Sequence, residues 1–177
     1  MSDNGLMHLY YGDGKGKTTA ALGLAIRAAG CGKGVVIVQF LKNWNCGEHS
    51  SISQLPNITL FRGVPAGGKF IHEMNEEEIQ ETKASQDEGL KSALALIEVG
   101  QCDLLVLDEA IDAHRLKVLD DEMFTGLVCS KPDTLELVIT GHNPCDFLLK
   151  HADYVTEMVK HKHPYDDGVS ARRGVEF

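Results

Sequence analysis

The run GDGKGKTT, from Gly12 to Thr19, leaves this chain few ways to fold. Glycines at 12, 14 and 16 let the backbone turn its N–H groups inward around an anion, and a helix starting there adds its own N-terminal N–H groups. Such a loop is fed by a strand and drained by a helix. Leu6 to Tyr11 fits the strand, and Thr18 to Ala29 reads as an Ala/Leu-rich helix closed by Gly30. Lys17 supplies a point charge for phosphate oxygens, and the hydroxyl of Thr18 is placed to ligate Mg²⁺. Asp13, Lys15 and Thr19 complete the loop. The general pattern GxxxxGK[ST] wants glycine at position 11, where this chain has Tyr11; its first glycine comes one residue later.

Downstream, apolar runs alternate with helical stretches. Val35 to Val38 is unalternated, as in a strand covered on both faces, and Ile58 to Phe61 is a shorter strand. Glu76 to Val99 reads as the longest helix, capped by Asn75 with Glu78 three residues on. Ile79, Gln86, Leu90, Ala93, Leu94 and Ile97 form its apolar stripe, and Gly100 ends it. Leu104 to Leu107 runs as a buried strand into Asp108 and Glu109. A helix over Asp121 to Cys129, a strand over Leu135 to Thr140, a helix starting at Asn143-Pro144 and a strand over Tyr154 to Met158 complete the order. This alternation predicts a doubly wound α/β fold, with a mainly parallel sheet of about six strands and helices on both faces. The few charges on the first helix predict burial on most of its sides. No repeat or linker divides the sequence, so one domain over residues 1–177 is expected. Gly63 to Lys69 is the expected mobile loop. The irregular tail from Lys160 is expected to dock on the body through Tyr165, Val175 and Phe177.

A formal charge of −9 argues against a general binder of nucleic acid or anionic membranes, whose footprints are basic. Lys15, Lys17, Lys33 and Lys42 nevertheless lie early enough to line a local basic pocket. The first residues lack a basic start and no apolar run approaches ~18 residues, which points to the cytoplasm. The five cysteines are scattered and odd in number, as reduced and mostly buried thiols would be.

The chemistry-bearing residues converge on one edge. A strand ending in Asp108 and Glu109 delivers carboxylates beside a phosphate loop, where they can hold Mg²⁺ directly or through water. Gln39 to Lys42 follows the second strand and faces the same crevice. Lys42 is there either a ligand contact or a solvated side chain, and Glu48 either a polar contact or a surface acid. His142, after Thr140 and Gly141, either senses phosphate charge or caps the next helix. Phe70, Ile71 and His72 either plug a gap in the core or form a lid over a large apolar ligand. His161 and His163 lack partners at structural-zinc spacing.

GDGKGKTTAALG, VQFLK, VLDE, TGHNP with HADYVTEM, and KHPYDDGVSARRGVEF together resemble the P-loop type ATP:corrinoid adenosyltransferases, from about Leu6 to Phe177. The resemblance implies a P-loop, RecA-like fold. It implies a reaction in which a reduced Co(I) corrinoid attacks the 5′ carbon of ATP and releases triphosphate, in adenosylcobalamin biosynthesis or corrinoid salvage. It also implies that Gly12 to Thr19 hold the phosphates, that Thr18, Glu109 and Asp108 position Mg²⁺, and that Lys15, Lys17 and Lys42 offset leaving-group charge. Phe70 matches an aromatic standing beneath the corrin, where it displaces the lower axial ligand; His72 replaces the tryptophan usual for that element. Asn43 and His142 are further departures, from glycine and arginine. Met7 already belongs to the first strand, where longer relatives carry an extension before it. A homodimer and a flavoprotein reductant are implied as well. The other readings of the same loop are a phosphotransferase or NTPase cutting at the γ-phosphate, and a non-catalytic nucleotide switch.

Overall fold

A computed structural model describes residues 4–177. In chain order its elements are β1 (Met7–Tyr11), α1 (Lys17–Gly30), β2 (Val35–Gln39), α2 (Gly47–Ile52), β3 (Ile58–Arg62), α3 (Glu76–Glu98), β4 (Leu104–Asp108), α4 (Ala110–Arg115), α5 (Asp121–Cys129), β5 (Glu136–Gly141), α6 (Asp146–His151) and β6 (Tyr154–Glu157). Single turns of 3₁₀ helix lie at Ala66–Gly68, Ile71–Glu73 and Pro164–Asp167. The six strands form one sheet in the order β3-β2-β4-β5-β1-β6, and every neighbouring pair is parallel. The doubly wound α/β expectation therefore holds.

Period-two alternation sorts the apolar side chains into two layers. Val35, Ile37, Leu104, Val106 and Val138 face α1 and α2, where Ala21, Ala25, Ala28 and Ile52 cover them. Val36, Val38, Leu105, Leu107, Leu137 and Ile139 point the other way, onto Leu90 and Ala93 of α3, Ala113 of α4, Phe124 of α5 and Leu148 of α6. Strands covered on both sides need no polar face, which is why β2 and β4 are buried at every position. The long helix begins as its sequence requires. Asn75 Oδ1 accepts from the Glu78 backbone N–H at 3.0 Å, and Glu78 Oε2 accepts from the Asn75 N–H at 2.9 Å.

Several expectations fail for local reasons. Helix α6 starts at Asp146, with Cys145 as its N-cap, rather than at Asn143-Pro144. Residues 143–145 stay outside the helix, with the His142 backbone N–H before them tied to Asp112 Oδ2 at 2.8 Å. Helix α1 is buried at Lys17 in the loop and along the stripe Ala21, Ala25 and Ala28, since it packs one face on the sheet and leaves Ile26 and Arg27 exposed. Cys31, Cys129 and Cys145 are exposed at helix ends, so only Cys46 and Cys102 fit the expected burial; all five are free thiols. Unrelated to any of these failures, the Val64 and Ala66 N–H groups of the Gly63–Lys69 loop donate to Ser85 Oγ and Thr82 Oγ1 of α3. The tail docks, but not through its apolar residues: Tyr165, Val175 and Phe177 are all exposed. Among the described residues no helix is long and apolar enough to cross a membrane.

Leu107 has no exposed surface, so Leu107→Ala should cost about 2–5 kcal/mol in a urea unfolding titration. Asn75→Ala, which removes only the cap, should cost about 1 kcal/mol.

Candidate active site

The C-terminal ends of the parallel strands define one edge of the sheet, and every functional candidate but one collects there. In register, Tyr11 stands beside Gly141 and Glu157, and Gln39 beside Asp108. Tyr11 is thus still a strand residue with a neighbour on each side, and position 11 calls for no glycine. The turn begins at Gly12, whose φ is 110°. A β-carbon on Gly12 or Gly14 would lie 2.5 or 2.6 Å from the Met158 carbonyl oxygen, so the loop lies directly on the end of β6. That close approach, sealed by Gly14 N–H donating to Met158 O at 2.6 Å, explains the shifted glycine. Lys33 is the exception. It lies exposed between α1 and β2, at the opposite edge of the sheet, and takes no part in the basic pocket.

Asp108 organises the floor of the crevice. It has no exposed surface and accepts four hydrogen bonds: from Thr18 Oγ1 at 2.9 Å, Thr140 Oγ1 at 2.8 Å, Lys42 Nζ at 2.7 Å and Gln39 Nε2 at 3.2 Å. Burial works against the charge on Lys42, but Asp108 and Glu48 reverse the effect and raise its pKa. Lys42 is therefore a partner of the buried acid, not a solvated side chain, and Glu48, 3.8 Å from its ammonium, is a polar contact and not simply a surface acid. Gln39 in turn accepts from His49 Nε2 at 2.7 Å, while His49 Nδ1 accepts from the Cys46 N–H at 3.2 Å. Both ring nitrogens are spent, so Cys46, Glu48 and His49, although grouped, are not free to bind a cation.

Glu109 is different. Its backbone adopts a left-handed conformation, φ 64°, which starts α4 and places the carboxylate in the cleft. Among the described residues no hydrogen-bond donor reaches that carboxylate. Burial first, then the charges of Asp108 and Asp112, raise its pKa to about 7. Asp112, one turn into α4, accepts from the backbone N–H and Nδ1 of His142 at 2.8 and 2.9 Å and from Arg115 at 3.1 Å. Burial opposes its charge, but the His142 hydrogen bonds dominate and lower its pKa to about 2. His142 does not cap α6; it is held beside Glu109 by Asp112. Nothing in the sequence marked Asp112 except a lone acid inside the apolar stretch AIDA, and that is the signal to read.

The phosphate loop faces a cleft of about 280 Å³ lined by Asp13 to Thr19, Glu109, His163, Val175 and Glu176. Lys17 is folded back into the loop, donating to the carbonyls of Gly12 and Gly14 at 2.7 and 2.9 Å. Thr18 donates its hydroxyl hydrogen bond to Asp108, and its oxygen, approached by Lys42 Nζ at 3.5 Å, keeps a lone pair for another ligand. Away from the cleft, Phe70 does not plug the core. It is 57% exposed and stacked on His72, with ring centroids 5.8 Å apart, while Ile71 between them packs inward. Asn43 Nδ2 donates to Gly68 O at 2.5 Å, tying this aromatic segment to the chain that carries Lys42.

A glycine-rich loop between β1 and α1, with acids at the end of a strand two places along the sheet, defines a P-loop nucleotide-binding protein. The family described as ATP:corrinoid adenosyltransferase BtuR/CobO/CobP matches residues 3–177, and the chain belongs to it. It is 31% identical to the corrinoid adenosyltransferase CobA of Salmonella typhimurium, over 99% of this chain and 87% of that one. It is also 31% identical to the corrinoid adenosyltransferase of Escherichia coli, with the same coverage, and 29% identical to that of Pseudomonas aeruginosa, over 99% and 85%. The chain is an enzyme that adenosylates a corrinoid at the expense of ATP.

The Glu109 carboxyl has a folded pKa of about 7 against an ordinary 4.5, so folding favours its protonated form. That contribution to stability is complete below pH ~4.5 and is lost as pH rises through ~7. In metal-free protein, Glu109→Gln should flatten the melting-temperature profile between these limits and melt higher than the parent above pH ~7. Thermal scans in a chelator across pH 4–8 check this.

Proposed function

We propose that Gly12 to Thr19 hold the triphosphate of ATP as a leaving group, and that Thr18 and Glu109 are the protein's direct ligands to Mg²⁺. The observation that carries this reading is the Glu109 carboxylate, desolvated and without a donor, in the same cleft as the Thr18 hydroxyl. A hard cation satisfies both groups, through oxygen ligands of the kind Mg²⁺ takes. Asp108 already accepts four hydrogen bonds and acts from behind, by accepting the Thr18 hydroxyl hydrogen bond and so orienting that oxygen. When bound, Mg²⁺ neutralises charge on the phosphate oxygens.

The chemistry asks little else of the side chains. The Co(I) substrate supplies an electron pair to the 5′ carbon of ATP. The cobalt–carbon bond forms as the carbon–oxygen bond breaks, and the pair from that bond leaves on triphosphate. No proton moves, so no general base is needed. The protein aligns the two substrates, offsets the leaving charge and excludes water. Lys17 does the second task by exchanging the Gly12 and Gly14 carbonyls for phosphate oxygens, helped by Lys15, with Lys42 adding its field from Asp108. Phe70, exposed and backed by His72, supplies an apolar face of the kind that stands against a corrin's lower side. The family resemblance also supports a homodimer, a cytoplasmic setting and a flavoprotein that delivers the electron reducing Co(II) to Co(I). The single continuous sheet supports action by residues 1–177 as one domain.

Incubation with ATP, Mg²⁺ and chemically reduced cobalamin should yield triphosphate and a light-sensitive Co–C product in equal amounts. Accumulation of ADP without that product would overturn the reading. Lys17→Ala should lower turnover by at least about 100-fold, the scale of losing one charge-stabilising donor. Phe70→Ala should slow the reaction from Co(II) corrinoid under weak reduction and spare the reaction from pre-reduced Co(I). Equal loss in both assays would remove the lower-face role.

A further inference from the structure

Beyond Lys160 the chain has one turn of 3₁₀ helix, and its side chains are nearly all exposed. It nonetheless forms the outer wall of the phosphate cleft through His163, Val175 and Glu176. Among the described residues, only Lys15 hydrogen-bonds residues 161–177 to the chain before Lys160. Its Nζ donates to Glu176 Oε1 at 2.8 Å and to the Val175 carbonyl at 3.2 Å. Glu176 is pre-set for that contact. Its carboxylate also accepts from the Arg172 backbone N–H at 2.8 Å, from Nη2 at 3.0 Å and from Nε at 3.2 Å.

A carboxylate held by a lysine and an arginine, at the mouth of a phosphate loop, presents the charge and acceptor geometry of a phosphate edge. We propose that Glu176 is an internal competitor for the polyphosphate: residues 163–177 form a strap that closes over the loop through Lys15, and a bound triphosphate takes Lys15 and releases the strap. The inference rests on the reading that Gly12 to Thr19 hold the triphosphate. It adds a role for a segment that otherwise only covers the cleft. Lys15 cannot serve both anions at full strength, and Glu176 left in place would face the polyphosphate as a like charge. Linkage makes the competition reciprocal: whatever the closed strap gains from Lys15, the triphosphate loses. The gain to the enzyme lies at the end of the cycle. Triphosphate is a highly charged product in a site built to grip it, and a carboxylate ready to reclaim Lys15 limits how long it stays.

Titration of inorganic triphosphate with Mg²⁺ into the full chain, followed by calorimetry, tests the competition. Glu176→Gln should bind triphosphate about two- to fivefold tighter than the parent, the range set by a partly exposed ion pair. Trypsin reports the strap itself, because Arg172 and Arg173 lie within it. Triphosphate should speed cleavage at those arginines in the parent, and Glu176→Gln should be cut fast with or without it. Unchanged or weaker triphosphate binding by Glu176→Gln, or protection of the arginines by triphosphate, would overturn the proposal; protection would make the strap a clamp on bound ligand. Triphosphate binding that survives Lys17→Ala unchanged would instead remove the phosphate-loop reading, and the strap would fall with it.

Discussion

A single buried negative charge holds the crevice together. Asp108 sits at the end of a fully buried strand, where an unpaired carboxylate is not tolerated, and it draws donors from every element around it. Thr18 comes from α1, Thr140 from β5, Gln39 from β2 and Lys42 from the chain beyond β2. Removing any one leaves the acid short of a partner in a place water does not reach, so the four are fixed together. Fixing Thr18 sets the start of α1. Fixing Lys42 sets the path of the chain that meets the aromatic segment at Gly68. The loop, the acidic strand end and the aromatic segment are therefore positioned by one electrostatic requirement, met in advance of any ligand.

The same economy shows in the cations. Lys17 is satisfied by loop carbonyls, Lys42 by Asp108 and Lys15 by Glu176. In an acidic chain, a cluster of bare ammonium groups would have been the expected signature of a phosphate site. Instead each positive charge has an oxygen partner of its own. Ligand binding is then an exchange of oxygens and not a capture by vacant charge, which favours a ligand offering many oxygens at once. Glu109 is the converse, an acceptor with no donor among the described residues, and that asymmetry makes it stand out from the other acids.

Much of this was legible in the residues. The strands are apolar runs of ordinary length, and the long helix announces its own cap at Asn75. The spacing of a glycine loop from an hhhhDE strand is enough to place both at one edge. What was not legible shares a cause. Helix α4 is six residues long and follows a left-handed Glu109, so periodicity has no room to appear. The late start of α6 depends on Asp112, thirty residues upstream in the chain, which no local rule sees. The tail carries apolar residues that look like anchors, yet it is held by a lysine near the other end of the sequence. Local pattern encodes elements; partners distant in sequence decide where they stop and what they touch.

The shifted glycine has a consequence for the order of events during synthesis. Gly12 and Gly14 take their shape against the Met158 carbonyl, and β1 pairs with β5 and β6, more than a hundred residues further along the chain. The ribosome makes the phosphate loop first, and its mould emerges only when Met158 has been added. Until then a nascent chain carries the most recognisable motif of the protein without the backbone geometry that gives that motif affinity. Nucleotide binding becomes a property of the assembled sheet and not of the motif alone.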